Sequence, residues 1–103
     1  MPQRPYGDEM SLPQLLIRPD TLASVQVEAT YADRKHGDQS MFAPGQTNER
    51  RLAILAEEVG ECARELNEAA IKGVLDSRHL REELIQVAAM ATTWHDALLR
   101  EET

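Results

Sequence analysis

Along most of the chain apolar side chains return every three or four positions, the period that gathers residues onto one face of an α-helix. From Glu49 to about Ile71 the stripe is Leu52, Leu55, Val59, Cys62, Leu66 and Ala69, and it predicts one long helix capped by Thr47 or Asn48. Gly73 and the Asp76-Ser77 pair break the rhythm. Leu80, Leu84, Val87, Ala91, Trp94 and Leu98 then restart it and carry a second long helix to the C-terminal "LLREET", with Asp76 or Ser77 as its cap. Two long helices across a short turn predict an antiparallel hairpin. Upstream, Leu22, Val25 or Gln26, Ala29 and Ala32 give a weaker stripe over about 20–35, with Asp20 as N-cap and Gly37 as a left-handed stop. The polar "HGDQSMFAPGQTN" between the first two helices reads as a loop. Pro2, Pro5, Pro13 and Pro19 set residues 1–19 apart as an arm from an all-α domain over 20–103. Within it, "SLPQLLI" either tucks Leu12, Leu15, Leu16 and Ile17 onto the body or a neighbouring subunit, or stays disordered.

Composition narrows the fold and the partners. A chain of 103 residues makes one domain with a small core, and only 4% of it is aromatic, which favours helices over a β-sandwich. A hairpin plus one preceding helix completes a four-helix-bundle-type core on oligomerisation, as a homodimer or homotetramer. The net charge of -7 repels nucleic acid and anionic membranes and attracts cations. Cys62 is the single cysteine, so no intrachain disulfide forms, and no apolar run is long enough to cross a membrane. A cytoplasmic protein is expected.

The charge is placed where chemistry is plausible. Glu58 and Glu61 share a face of the second helix and border its apolar stripe, as Glu83 and Gln86 do on the third. Packed antiparallel, the two helices bring these side chains together at the seam, where crowded carboxylates repel unless a hard cation such as Mg²⁺ joins them. A di-iron site is disfavoured because neither Glu58 nor Glu83 has a histidine three residues on. The competing reading is a solvated helix face neutralised by Arg64, Lys72 and Arg81. Gly60, in mid-helix, suggests close approach by a backbone or ligand.

The segments "RRLAILAEEVGECARELNE" and "LREELIQVAAMATTWHDAL" resemble the MazG-like family of all-α nucleoside triphosphate pyrophosphohydrolases over about residues 20–99. That family's signature is Glu-Glu-x-x-Glu on one helix and Glu-x-x-Asp on the next. The first half is matched by Glu57, Glu58 and Glu61; the second begins at Glu83, with Gln86 standing in the Asp position. The resemblance implies hydrolysis of a nucleotide between its α and β phosphates, with Mg²⁺, or Mn²⁺ in its place. Glu58, Glu61 and Glu83 would be metal ligands, Gln86 would offer a carbonyl oxygen without charge, and Glu57 would either support the ligands from behind or be the base that orients the attacking water. Little chain follows the third helix, so substrate contacts fall to the first helix, its loop or another subunit.

Lys35 and His36 stand there, although an exposed loop histidine is the ordinary reading of His36. Trp94 and Cys62 lie in the stripes and read as packing residues. His79 is an exposed first-turn residue or a support for Glu83, four positions on. The alternative to an enzyme is a non-catalytic nucleotide-binding or assembly module with a degenerate metal site.

Overall fold

The computed structural model describes residues 15–102, so most of the arm, including Leu12, lies outside the described residues. Among those described there are three α-helices and no strand: α1 (Pro19–His36), α2 (Asn48–Lys72) and α3 (Ser77–Glu101), with a 3₁₀ turn over Gly37–Gln39. The chain is all-α. Leu16 and Ile17 stay exposed, at 94% and 50%, so these two residues of the arm are not tucked onto the body.

The helix ends follow local chemistry. Thr47 accepts a hydrogen bond from the Arg50 amide and Asp76 one from the His79 amide, each at 3.1 Å, which fixes the starts of α2 and α3. Gly73, at φ 78°, closes α2 in the left-handed conformation that glycine adopts without strain. The start of α1 corrects the expected cap. Arg18 occupies the N-cap position with no side-chain bond, Pro19 follows, and Asp20 sits inside the first turn, paired to Arg18 at 2.8 Å. Proline is already at the helical φ and has no N–H to leave unsatisfied, so the helix starts without a capping side chain.

The central element is α3, which packs against α2 on one side and α1 on the other, while α1 and α2 do not pack on each other. The α2–α3 hairpin is antiparallel: Trp94 Nε1 donates to Asn48 Oδ1 at 3.0 Å near one end, and His79 meets Glu65 near the other. Met41, Ala89 and Met90 form a small core, against which Val25, Ala29 and Ala32 of α1, Ile54 and Leu55 of α2, and Trp94 of α3 pack. Trp94 is thus a packing residue.

The seam keeps half of the stripe read in the sequence, with Leu55, Cys62 and Ala69 of α2 and Leu80, Val87 and Trp94 of α3 half-buried, but is rotated away from the rest. On α2 the inward row is Arg51, Glu58 and Glu65, while Leu52, Val59 and Leu66, one residue later in each case, are 50–55% exposed. On α3 the inward row is Glu83, Met90 and Ala97, and Leu84, Ala91 and Leu98 are left exposed. Each step along a helix turns about 100°, and in an antiparallel pair the flanks that follow the two seams lie on the same side. The hairpin therefore has one open apolar face, Leu52, Val59 and Leu66 beside Leu84, Ala91 and Leu98. Its other face is where α1 sits. Gly60 faces solvent with no atom of the described residues within 4 Å of where a Cβ would stand, so no backbone of the described chain makes the close approach expected at this glycine.

A buried cation pins the loop between α1 and α2. Arg51 is 1% exposed; Nε donates to the Met41 carbonyl at 2.9 Å, Nη2 to the Ala43 carbonyl at 3.4 Å, and Nη1 to Glu101 at 3.0 Å. Arg100 adds a donor to the Phe42 carbonyl and stacks 4.3 Å from the Phe42 ring. Ser40 donates to Asp33 at 2.7 Å and accepts from the Ala43 amide at 3.1 Å. A polar loop thereby becomes a fixed floor.

Candidate functional site

Because α1 and α2 diverge over α3, a cleft of about 410 Å³ opens between them, within the size range of small-molecule sites. On the α2 side the cleft is lined by Arg50, Ile54, Glu57 and Glu58, positions that recur at helical spacing. The α1 side contributes Glu28, Tyr31, Lys35 and His36 at the same spacing. The base is made by Gln86, Met90 and Thr93 of α3, and one end by Gln39, Ser40 and Met41 of the pinned loop.

Five of the seven residues singled out in the sequence share this space: Glu57, Glu58, Gln86, Lys35 and His36. The other two do not line it. Glu61 is turned toward its own helix and pairs with Arg64 at 3.6 Å, an exposed contact of small energetic value. Glu83 is inside the hairpin seam, its side chain 13% exposed, with Oε1 3.6 Å from His79 Nε2 and Oε2 buried without a hydrogen-bond partner. His79 also reaches across to Glu65, Nδ1 to Oε1 at 2.5 Å, so it ties α3 to α2 beside the motif rather than standing free in a first turn.

Electrostatics single out Glu58. Partial burial, followed by the charges of Glu83, Glu61, Glu28 and Glu57, holds its carboxyl above the usual range. Burial first, and then Glu83 and Glu58, raise the Cys62 thiol as well, the opposite of what a thiolate nucleophile needs. His79 is held more basic than an ordinary histidine, chiefly by its hydrogen bond and charge interaction with Glu65. Among the described residues no three His, Cys, Asp or Glu side chains are gathered as a ready-made ligand cage. The donor set nevertheless has the character that a hard cation relieves: a buried carboxylate oxygen without a partner at Glu83 and a desolvated carboxyl at Glu58 among like charges.

Glu28 and Arg50 line the cleft and were not anticipated. Arg50 had a signal, since it lies seven residues before Glu57 and therefore on the same flank of α2. Glu28 had none of its own, because nothing in the α1 sequence says which flank meets the motif. Arg50 Nη1 donates to the Gln39 carbonyl at 3.2 Å and also to Gln46 Oε1, which fixes the guanidinium at the loop end. Lys35 Nζ lies 6.0 Å from the centre of the Tyr31 ring. No protein-family model, curated protein or solved structure matches the chain.

Proposed function

We propose that the chain is a Mg²⁺-dependent nucleoside triphosphate pyrophosphohydrolase of the MazG-like kind, converting (d)NTP to (d)NMP and pyrophosphate. The observation that carries the reading is the convergence of Glu57, Glu58 and Gln86, from both halves of the signature, on one cleft that Lys35 and His36 also line. Glu58 and the Gln86 carbonyl oxygen in the cleft, with Glu83 and Glu61 beside Glu58, would hold Mg²⁺ or Mn²⁺, which requires Glu61 to leave Arg64 and turn toward Glu58. Bound there, the metal supplies charge neutralisation and a more acidic water.

The residues of the chain do the rest. Glu57, exposed in the cleft, orients the water and takes its proton as oxygen attacks the α phosphorus; the bond to the α–β bridging oxygen breaks and pyrophosphate departs. Lys35 and His36 meet the phosphates. Pyrophosphate release measured across a panel of canonical and modified nucleotides tests this. Turnover is expected with Mg²⁺, reduced about a hundredfold or more by Glu57→Gln and lost in Glu61→Gln. No release from any nucleotide by folded protein rejects the enzyme.

Self-association belongs to the same proposal. Only five apolar residues are buried among those described, while the hairpin leaves Leu52, Val59, Leu66, Leu84 and Leu98 exposed on one side. A second hairpin laid on that side makes a four-helix core, in a homodimer or homotetramer. No helix among the described residues is long and apolar enough to cross a membrane, and with the net charge of -7 this supports a cytoplasmic protein whose partners are nucleotide and self rather than nucleic acid or membrane.

One observation favours the second reading, a non-catalytic nucleotide-binding or assembly module. Gln86 brings a neutral amide to the cleft where the family's signature has a charge. Calorimetry with Mg²⁺ and a non-hydrolysable nucleotide separates the two, because binding without turnover supports the module.

A further inference from the structure

The two walls of the cleft carry charge in the same order. On α2, Glu57 and Arg50 are seven residues apart, two helical turns or about 10 Å. On α1, Glu28 and Lys35 have the same separation. Acid stands opposite acid, since Glu28 is among the charges acting on Glu58 across the gap. Base stands opposite base, since Arg50 donates to the carbonyl of Gln39, just beyond Lys35 and His36 in the chain. The cleft therefore has an acidic end and a mainly basic end, where the one carboxylate among the lining residues, Asp33, is taken up by the Ser40 hydroxyl at 2.7 Å.

This order is not explained by pairing among the described residues. Salt bridges at the ends of the helices join opposite charges one turn apart, as in Lys72 with Glu68 and Arg78 with Glu82. In the cleft, Arg50 spends its hydrogen bonds on a carbonyl and an amide oxygen, and Lys35 faces a tyrosine ring rather than a carboxylate. An anion bound at one end through a cation, and directly by basic side chains at the other, has the complementary order. A polyphosphate carrying a divalent cation on part of its length is such a ligand.

We propose that Arg50 and Lys35 grip the terminal phosphate of the nucleotide and set its direction in the cleft. The metal-bearing phosphates lie at the Glu58 end and the leaving pyrophosphate points to the basic end. This rests on reading the cleft as a nucleotide site. It makes Arg50 and Lys35 specificity-determining residues that distinguish a triphosphate from a diphosphate of the same nucleoside, because only the longer chain reaches them from the acidic end.

Calorimetry with Mg²⁺ and two analogues that cannot be cleaved at the α–β bond, an α,β-methylene triphosphate and the matching α,β-methylene diphosphate, tests the assignment. The full-length protein is expected to bind the triphosphate about tenfold more tightly. Lys35→Gln should lower that ratio about threefold, and Lys35→Gln with Arg50→Gln should bring it close to one, with diphosphate affinity held within about twofold. Arg50 also braces the loop, so Lys35→Gln, whose side chain has no hydrogen-bond partner to lose, is read by itself and each variant is checked by thermal melting. Equal affinity for both analogues in the unmodified protein, or a ratio that survives both substitutions, overturns the proposal. Binding of neither analogue removes the nucleotide reading itself, a distinct outcome.

Discussion

The two faces of the α2–α3 hairpin are built from the same helices and differ by a rotation of a few residues, yet they have opposite character. Positions just before the seam or on it, Arg50, Glu57, Glu58 and Gln86, look into a charged cleft closed on its far side by α1. Positions just after it, Leu52, Val59, Leu66, Leu84 and Leu98, are apolar and open. The cleft face tolerates charge because a third helix and a pinned loop give it walls. The open face carries no such cover among the described residues, and in the proposed assembly a second hairpin would supply it. The lesson is that a single heptad spacing, entered one residue earlier or later, separates a charged, walled cleft from an open apolar face.

The largest effect is expected where the cleft face is anchored. Arg51→Met removes the donors to Met41 and Ala43 and the pair with Glu101, leaving buried carbonyls unsatisfied. Denaturant unfolding should show a loss of about 3 kcal/mol. A loss below about 1 kcal/mol would mean the loop is held by its own turns and not by Arg51.

On the opposite face the effect is on association rather than folding. Val59→Glu and Leu66→Glu place charge in the open apolar row, and sedimentation velocity should show self-association weakened by about tenfold or more for each. Far-UV circular dichroism should be unchanged, because both side chains are half exposed in the single chain. If the oligomer persists in both variants, the partner lies elsewhere.

A smaller effect concerns pH. The folded state holds the Glu58 proton more tightly than the unfolded chain does, so this group favours folding below its ordinary value of 4.5 and the benefit is lost as pH rises through the elevated one. Glu58→Gln should flatten that decline in metal-free protein. An identical pH–stability profile in the variant would show that the carboxylates are screened by solvent.

Much of this was legible in the sequence, for identifiable reasons. The limits of α2 and α3 were, because Thr47, Gly73 and Asp76 are local signals that need no knowledge of the rest of the chain. The rotation of the seam was not: apolar stripes name the greasiest row, whereas Arg51 and Glu83 enter the seam only because carbonyls and His79 meet them there. Gly60 shows the converse, a residue whose mid-helix cost suggested contact but which meets no atom of the described chain. Spacing groups Glu58 and Gln86 with Glu61 and Glu83, of which the last two do not line the cleft, and Glu57 enters through the resemblance; Glu28 joins them through the way α1 crosses α3, and that is a tertiary fact.

The central claim is that the cleft face is where a metal and a nucleotide meet, and Gln86 is the position that tests it most directly. Gln86→Asp changes one neutral amide lining the cleft to a carboxylate one methylene shorter, the side chain that the resembled signature has at this position. Mg²⁺ affinity measured by calorimetry, with pyrophosphate release followed on the same samples, is expected to tighten about tenfold as the ligand set gains a charge, and turnover should rise with it. Unchanged Mg²⁺ affinity in a folded Gln86→Asp protein would contradict the account.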